Sequence, residues 1–230
     1  MSEGDDVPNE VKFAYWLSAM KQATGAWAER RRLATAMRAV IDRLVTSDAP
    51  EEELRLAADR LEQYAERLAS HPQRHVPFGF GETANSGDVT ALFDYSPLIG
   101  LSNPIAPPVV LRVDDGAVRG TVTFGAAYEG PPGHVHGGLI AATFDEILGF
   151  AQSMTGNPGM TGTLTIRYRK PTPLHVEIAL EGRVLRVEGR KIFTAGTMRA
   201  RDVVTAEAEG IFVSVDFAKM TELIGQVRGK

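Results

Sequence analysis

GGLIAATFDEILGFAQSM, residues Gly137 to Met154, is the stretch whose reading decides the fold. It is apolar on nearly every side and lacks the polar–apolar alternation of a half-buried strand. Its length favours a helix, and a helix apolar all round belongs in an interior. Two adjacent acids, Asp145 and Glu146, interrupt it. Their side chains diverge by about 100° on a helix, so they do not form a paired dyad. With apolar residues on both sides, at least one of them is expected to be kept from solvent.

Working outward, the pattern on both sides has period two. Val118, Val122 and Phe124 alternate with Thr121 and Thr123. Leu164, Ile166 and Tyr168 alternate with Thr163, Thr165, Arg167 and Arg169. Val176, Ile178 and Leu180 alternate with Glu177 and Glu181, and Ile211, Val213 and Val215 close the series. Such runs read as strands with one buried and one polar face. DDG at Asp114–Gly116 and EGR at Glu188–Arg190 supply turns. The order is strand, strand, buried helix and at least four more strands. This predicts an α+β chain in which an antiparallel sheet wraps one central helix, over residues 109–217.

Further out, residues 1–71 read as a helical N-terminal extension. Phe13, Trp16, Leu17, Met20, Trp27, Leu33, Met37, Val40, Ile41 and Leu44 recur at helical spacing, and Leu54, Ala57, Leu61, Tyr64 and Leu68 form a second stripe. Between them, Pro50 followed by three glutamates marks a helix start. Two antiparallel helices are expected. Residues 72–108 are rich in Pro, Gly, Asn and Ser yet carry Phe78, Phe80, Leu92, Phe93, Leu98, Ile99 and Leu101. They read as a linker laid over a surface and bordering a binding site. Residues 218–230 read as a tail with a short helix.

Composition narrows the function. The 230 residues are 43% hydrophobic and 23% charged, with a formal net charge of −4 and no cysteine. Thiolate metal sites, disulfides and thiol nucleophiles are excluded. No basic footprint for nucleic acid is present, and no run is long enough to span a bilayer. The acidic start is unlike a secretory signal. A cytoplasmic enzyme or binding protein is the expectation.

The chemistry concentrates in GPPGHVHGGLIAATFDE, Gly130 to Glu146. Gly133, Gly137 and Gly138 flank His136 and allow backbone to approach a ligand closely. A helix starting at Gly137 aims its unpaired first amides, with the positive end of the dipole behind them, at whatever lies ahead. That suits a carbonyl oxygen gaining charge during acyl transfer. Asp145 lies about 12 Å further along the helix axis, too far to act on the same carbonyl. Two chains with their helices antiparallel would bring Gly137 of one to Asp145 of the other, so a homodimer with two composite sites is expected. His134 and His136 have no third ligand at a suggestive spacing, and no metal or cofactor is expected.

These residues resemble the hotdog-fold acyl-CoA thioesterases of the phenylacetate-pathway type. The likeness rests on HGG, the acid nine positions after its His, MTGTLTIRYRKPTPL (Met160–Leu174) and RVEGRKIF (Arg186–Phe193) in order. It covers about half the chain, roughly Pro108 to Phe217, and the hotdog fold it implies is the sheet-around-a-helix already read. The resemblance implies that Asp145 is general base or nucleophile, that the Gly137 amide binds the thioester carbonyl, that His136 shapes the turn and that Thr161 positions water or the acid. Related enzymes place an Asn six residues before the His, where this chain has Gly130. The implied substrate, a fatty or aromatic acyl-CoA, carries phosphates. Gly138 is a further substrate-binding candidate. Arg167, Arg169 and Lys170 at one strand end, with Arg190 and Lys191 on the next turn, would contact the phosphates or simply be a solvated strand face. The linker's Phe, Leu and Ile would cap an acyl chain or plug the sheet. Assembly as a homodimer, or a dimer of such dimers, is implied. Two other functions stay open: a dehydratase or hydratase on acyl thioesters, and a non-catalytic acyl-CoA binding module.

Overall fold

A computed structural model describes residues 23–72, 94–157 and 159–215. The expectations for Phe13, Trp16, Leu17, Met20, Phe78, Phe80, Leu92, Phe93 and the 218–230 tail lie outside them. Six strands form one antiparallel sheet: β1 Val110–Asp114, β2 Ala117–Thr123, β3 Gly159–Tyr168, β4 Glu177–Glu188, β5 Lys191–Ala200 and β6 Val203–Ser214. Their order across the sheet is β1-β2-β4-β5-β6-β3. Both turns read from sequence are hairpins, Asp114 pairing with Ala117 and Glu188 with Lys191.

The α-helices among the described residues are α1 Gly25–Leu44, α2 Glu51–Ala69 and α3 Gly137–Ser153. The last is the expected buried helix, ending at the cap residue Met154. It beds into the sheet because the strands beneath it carry small residues. Gly182 on β4 faces Gly196 on β5, and Gly196 faces Ala208 on β6. A side chain at Gly182 would meet Ile147 Cγ2 at 2.6 Å, and one at Gly196 would meet Leu148 at 3.1 Å. The space is taken by Phe144, Ile147 and Leu148, all fully buried with Ile178, Ile192, Met198 and Phe212. Each such side chain contributes about 1.5–3 kcal/mol on burial.

β3 lies at the sheet edge, so the face expected to be buried is only partly covered. Leu164 and Ile166 are half-buried, while Met160 and Tyr168 are exposed.

The extension departs from its apolar pattern. α1 docks with a largely polar face. Trp27 Nε1 donates to Asp94 Oδ2 at 2.7 Å, and Arg31 pairs with Asp94 Oδ1 at 2.6 Å while stacking on Trp27. Asp94 is buried and also accepts the Ser102 hydroxyl. Arg38 donates to the carbonyls of Leu101 and Asn103, and the Ala127 amide donates to Asp42. Met37, Val40 and Leu44 face outward instead. α2 buries no residue, and Leu54, Leu61, Tyr64 and Leu68 are exposed. None of the described residues of the two apolar stripes is buried. The reason is that α1 meets a strap of backbone carbonyls and a buried carboxylate, which charged and amphipathic side chains satisfy better than apolar ones. Residues 94–108 are that strap; its own Ile99 and Ala106, and Val109 just after it, are buried.

Candidate active site

The loop before α3 is held by its own backbone. The Gly130 amide donates to His134 O and the His134 amide to Pro131 O, both at 2.9 Å. The Val135 amide donates to Thr172 O, the Leu174 amide to Gly133 O and the His136 amide to Tyr128 O. Gly133 takes φ +74°, which favours glycine. Gly130 is close-packed for a different reason: a side chain there would meet His136 Cα at 2.6 Å. An Asn at this position would not fit this loop.

His136 caps α3 with extended backbone, its Nδ1 accepting from the Gly138 amide at 3.1 Å. The amides of Leu139 and Ile140 both donate to His136 O. The Gly138 amide is thus engaged by His136 rather than offered to a ligand. The Gly137 amide is the one member of the first turn that has no acceptor among the described residues. It sits at the positive end of a 17-residue helix. Tyr168, which the sequence marked only as a strand residue, donates its hydroxyl to Gly137 O at 2.9 Å.

Further along α3, Asp145 is half-buried and its Oδ1 accepts the Thr161 hydroxyl at 2.7 Å. The structure brings these two side chains together. Glu146, one residue on, points to the strap and accepts from Ser96 Oγ at 3.1 Å. Burial pushes the Glu146 carboxyl up, Ser96 draws it down, and the charge of Asp145 adds to the rise. Nothing near Glu146 in sequence marks this link, because Ser96 lies 50 residues away.

The basic residues separate into two groups. Arg167 pairs with Glu209 and Arg169 with Glu207, each at 2.7 Å. Arg190 donates Nε and Nη2 to Ser214 O. Lys170 borders a cleft of about 390 Å³ with His134 and Arg201. Lys191 and Met160 both oppose Val213, whereas Tyr168 opposes Ala206. The Arg190–Lys191 turn and the Arg169–Lys170 end therefore lie at opposite ends of β3, about 30 Å apart along the strand. One protomer does not bring them together. His134 Nδ1 lies 2.8 Å from Pro132 O, and among the described residues no group of three or more His, Asp or Glu is placed to hold a metal. Among the same residues no helix is long and apolar enough to cross a membrane.

Residues 132–207 match the model of the thioesterase superfamily. A thioesterase superfamily protein of known crystal structure is 39% identical and superimposes with a TM-score of 0.72, covering 80% of this chain and 94% of its own. The acyl-coenzyme A thioesterase THEM4 of Xenopus laevis is 36% identical over 93 residues, 40% of this chain and 42% of that protein. THEM4 of Bos taurus is 36% identical over 94 residues, 40% of this chain and 38% of that protein. The match thus spans about two fifths of these curated relatives.

Proposed function

The chain belongs to the thioesterase superfamily, and from that premise we propose that it hydrolyses the thioester of an acyl-CoA to a carboxylic acid and CoA. One observation carries the reading: of the first-turn amides of α3, only that of Gly137 is left for an external acceptor among the described residues. A thioester carbonyl oxygen bound there would gain charge next to a donor already aimed at it and backed by the helix dipole.

Asp145 supplies the second half. Held by Thr161, its carboxylate either takes a proton from water as the water oxygen bonds to the carbonyl carbon, or attacks that carbon itself. On either route the C–S bond breaks, the electron pair leaves on the CoA sulfur, and the sulfur takes up a proton; on the second route water then cleaves the acyl–Asp145 anhydride, releasing the acid and restoring the carboxylate. Gly137 and Asp145 of one chain are about 12 Å apart along the helix. The reading therefore pairs two chains with antiparallel α3 helices, so that each site takes its amide from one protomer and its carboxylate from the other. The exposed edge of β3, adjoining both Thr161 and Tyr168, is the surface such pairing would use.

The tautomer of His136 weighs against hydration or dehydration. Its Nδ1 lone pair is spent on the Gly138 amide, so the neutral ring carries its proton on Nε2 and has no free base site. A pure binding module would gain nothing from a carboxylate held in place by Thr161. Release of free thiol from a panel of acyl-CoAs tests the proposal. Turnover by the natural protein, lost in Asp145→Asn, supports it; CoA binding without release supports the binding module, and enoyl-CoA hydration without release supports the hydratase.

A further inference from the structure

α2 buries no residue, yet one side of it is wholly apolar. At about 100° per residue, Leu54, Ala57, Ala58, Leu61, Tyr64 and Ala65 fall in one stripe about 120° wide. Leu54 is 43% and Leu61 49% exposed, and Tyr64 is exposed as well. Leu54, Ala57, Leu61 and Tyr64 hold successive a and d positions of a heptad pattern. Ala58 and Ala65, at the adjoining e positions, are small enough for a second helix to approach closely. We propose that this face pairs with α2 of a second copy of the chain, the two helices running antiparallel. The contact lies outside the site described above and does not depend on the reaction proposed for it.

Charge selects both the occupant and its direction. Along one flank of the stripe, the g positions are Glu53, Arg60 and Arg67. Glu53 and Arg67 sit at opposite ends of the helix, too far apart to pair within one chain. A twofold antiparallel pairing sets Leu54 beside the second copy's Tyr64 and Ala57 beside its Leu61. That register places Glu53 against the second copy's Arg67, and symmetry repeats the pair. On the alanine flank it places Arg55 against the second copy's Glu62, again twice. Arg55 otherwise has an exposed pair with Asp59 at 3.4 Å. Parallel helices would instead set Glu53 and Arg60 against Ala58 and Ala65, leaving the charges unmatched. The antiparallel register has one unfavourable contact, Arg60 near its own copy at the twofold. An apolar stripe flanked by charges complementary to itself fits a copy of this chain better than an unrelated partner. The helix is about 28 Å long, so the contact is at the small end of specific interfaces and the association is concentration-dependent.

The test uses the whole protein, with sedimentation velocity over a concentration series and disulfide trapping as its two readouts. The natural protein associates to twice the mass of Leu61→Asp, whose association is weakened at least about tenfold. Glu53→Arg or Arg67→Glu alone weakens association by roughly fivefold, since each disturbs two ion pairs. The double variant Glu53→Arg with Arg67→Glu recovers it, a rescue that a folding defect would not give. Arg60→Ser, which removes the like-charge contact, tightens association. The chain has no cysteine, so an introduced thiol reports on its own neighbour. Ala58→Cys, set beside its own copy by this register, forms an intermolecular disulfide on mild oxidation, while Gln63→Cys on the opposite side of the helix does not. A mass that Leu61→Asp and the charge variants leave unchanged overturns the inference, as when α1 of the same chain or another protein covers the stripe. Equal trapping at Ala58→Cys and Gln63→Cys overturns it too. None of these outcomes depends on whether the chain hydrolyses a thioester, so the two readings fail separately.

Discussion

The Thr161 hydroxyl donates to Asp145 Oδ1 at 2.7 Å, tying the edge strand to the central helix across 16 residues of sequence. This bond fixes one carboxylate oxygen and leaves the other for chemistry. β3 also holds the head of the helix, through Tyr168 on Gly137 O. One strand thus braces both groups that the proposed reaction needs.

Asp145→Asn is expected to lower turnover by roughly 10²-fold or more, the scale of a lost general base, with circular dichroism and melting temperature near those of the natural protein. Thr161→Val, which keeps the acid but frees its orientation, should cost less, about tenfold. Near-normal rates for Asp145→Asn would remove it from the mechanism.

Gly137→Pro isolates the amide donor. Proline is well accepted at the first position of a helix, and His136 before it already has the extended backbone that proline demands. The substitution should therefore fold while lowering kcat by about 10²–10³-fold. Gly137→Ala keeps the amide, and its methyl would sit in ordinary contact with Tyr168 at 3.5 Å. It should lose far less. Equal losses for Ala and Pro would mean that crowding, not the missing donor, is responsible.

Glu146 gives a pH signature of stability. Its carboxyl is raised, chiefly by burial, so between the unfolded and folded pKa values the folded chain binds more protons than the unfolded one. Its favourable contribution is complete below the unfolded carboxylate range and is lost as pH rises through the folded value. Gln does not titrate and can still accept from Ser96. Glu146→Gln should therefore match the natural protein in urea unfolding under acid conditions and become progressively the more stable as pH approaches neutral. An advantage for Gln that shrinks with rising pH would contradict this account.

Asp94→Ala should destabilise by about 3 kcal/mol in denaturant unfolding, because Arg31 and the Trp27 indole lose a buried carboxylate partner together. A change below about 0.5 kcal/mol would show that α1 is not held by this contact.

The sequence made the central helix legible because its apolar character is all-round, and that pattern has no other comfortable place than an interior. Both hairpin turns were readable from their glycines. Asp145 and Thr161 could be paired only through the resemblance, since sixteen residues and a turn separate them. The docking face of α1 was only partly readable from apolar spacing: Trp27 of that stripe takes part, but Arg31, Arg38 and Asp42 join it while the apolar Met37, Val40 and Leu44 face outward. The pairing of Arg167 and Arg169 with Glu209 and Glu207 depends on strand register, which residue alternation does not give. Arg169–Lys170 and Arg190–Lys191 flank successive strands in chain order, but β4 between them carries the second pair to the other end of the sheet. An extended strand sets such residues far apart.

The central claim is that each site takes its amide from one chain and its carboxylate from another. Purified heterodimers of one Gly137→Pro chain and one Asp145→Asn chain test it most directly. In such a pair one site combines the intact Gly137 of one protomer with the intact Asp145 of the other, and the second site lacks both. The account predicts that the heterodimer regains about half the thiol-release rate of the natural dimer while each parent homodimer stays nearly inactive. A verified heterodimer no more active than its parents would contradict it.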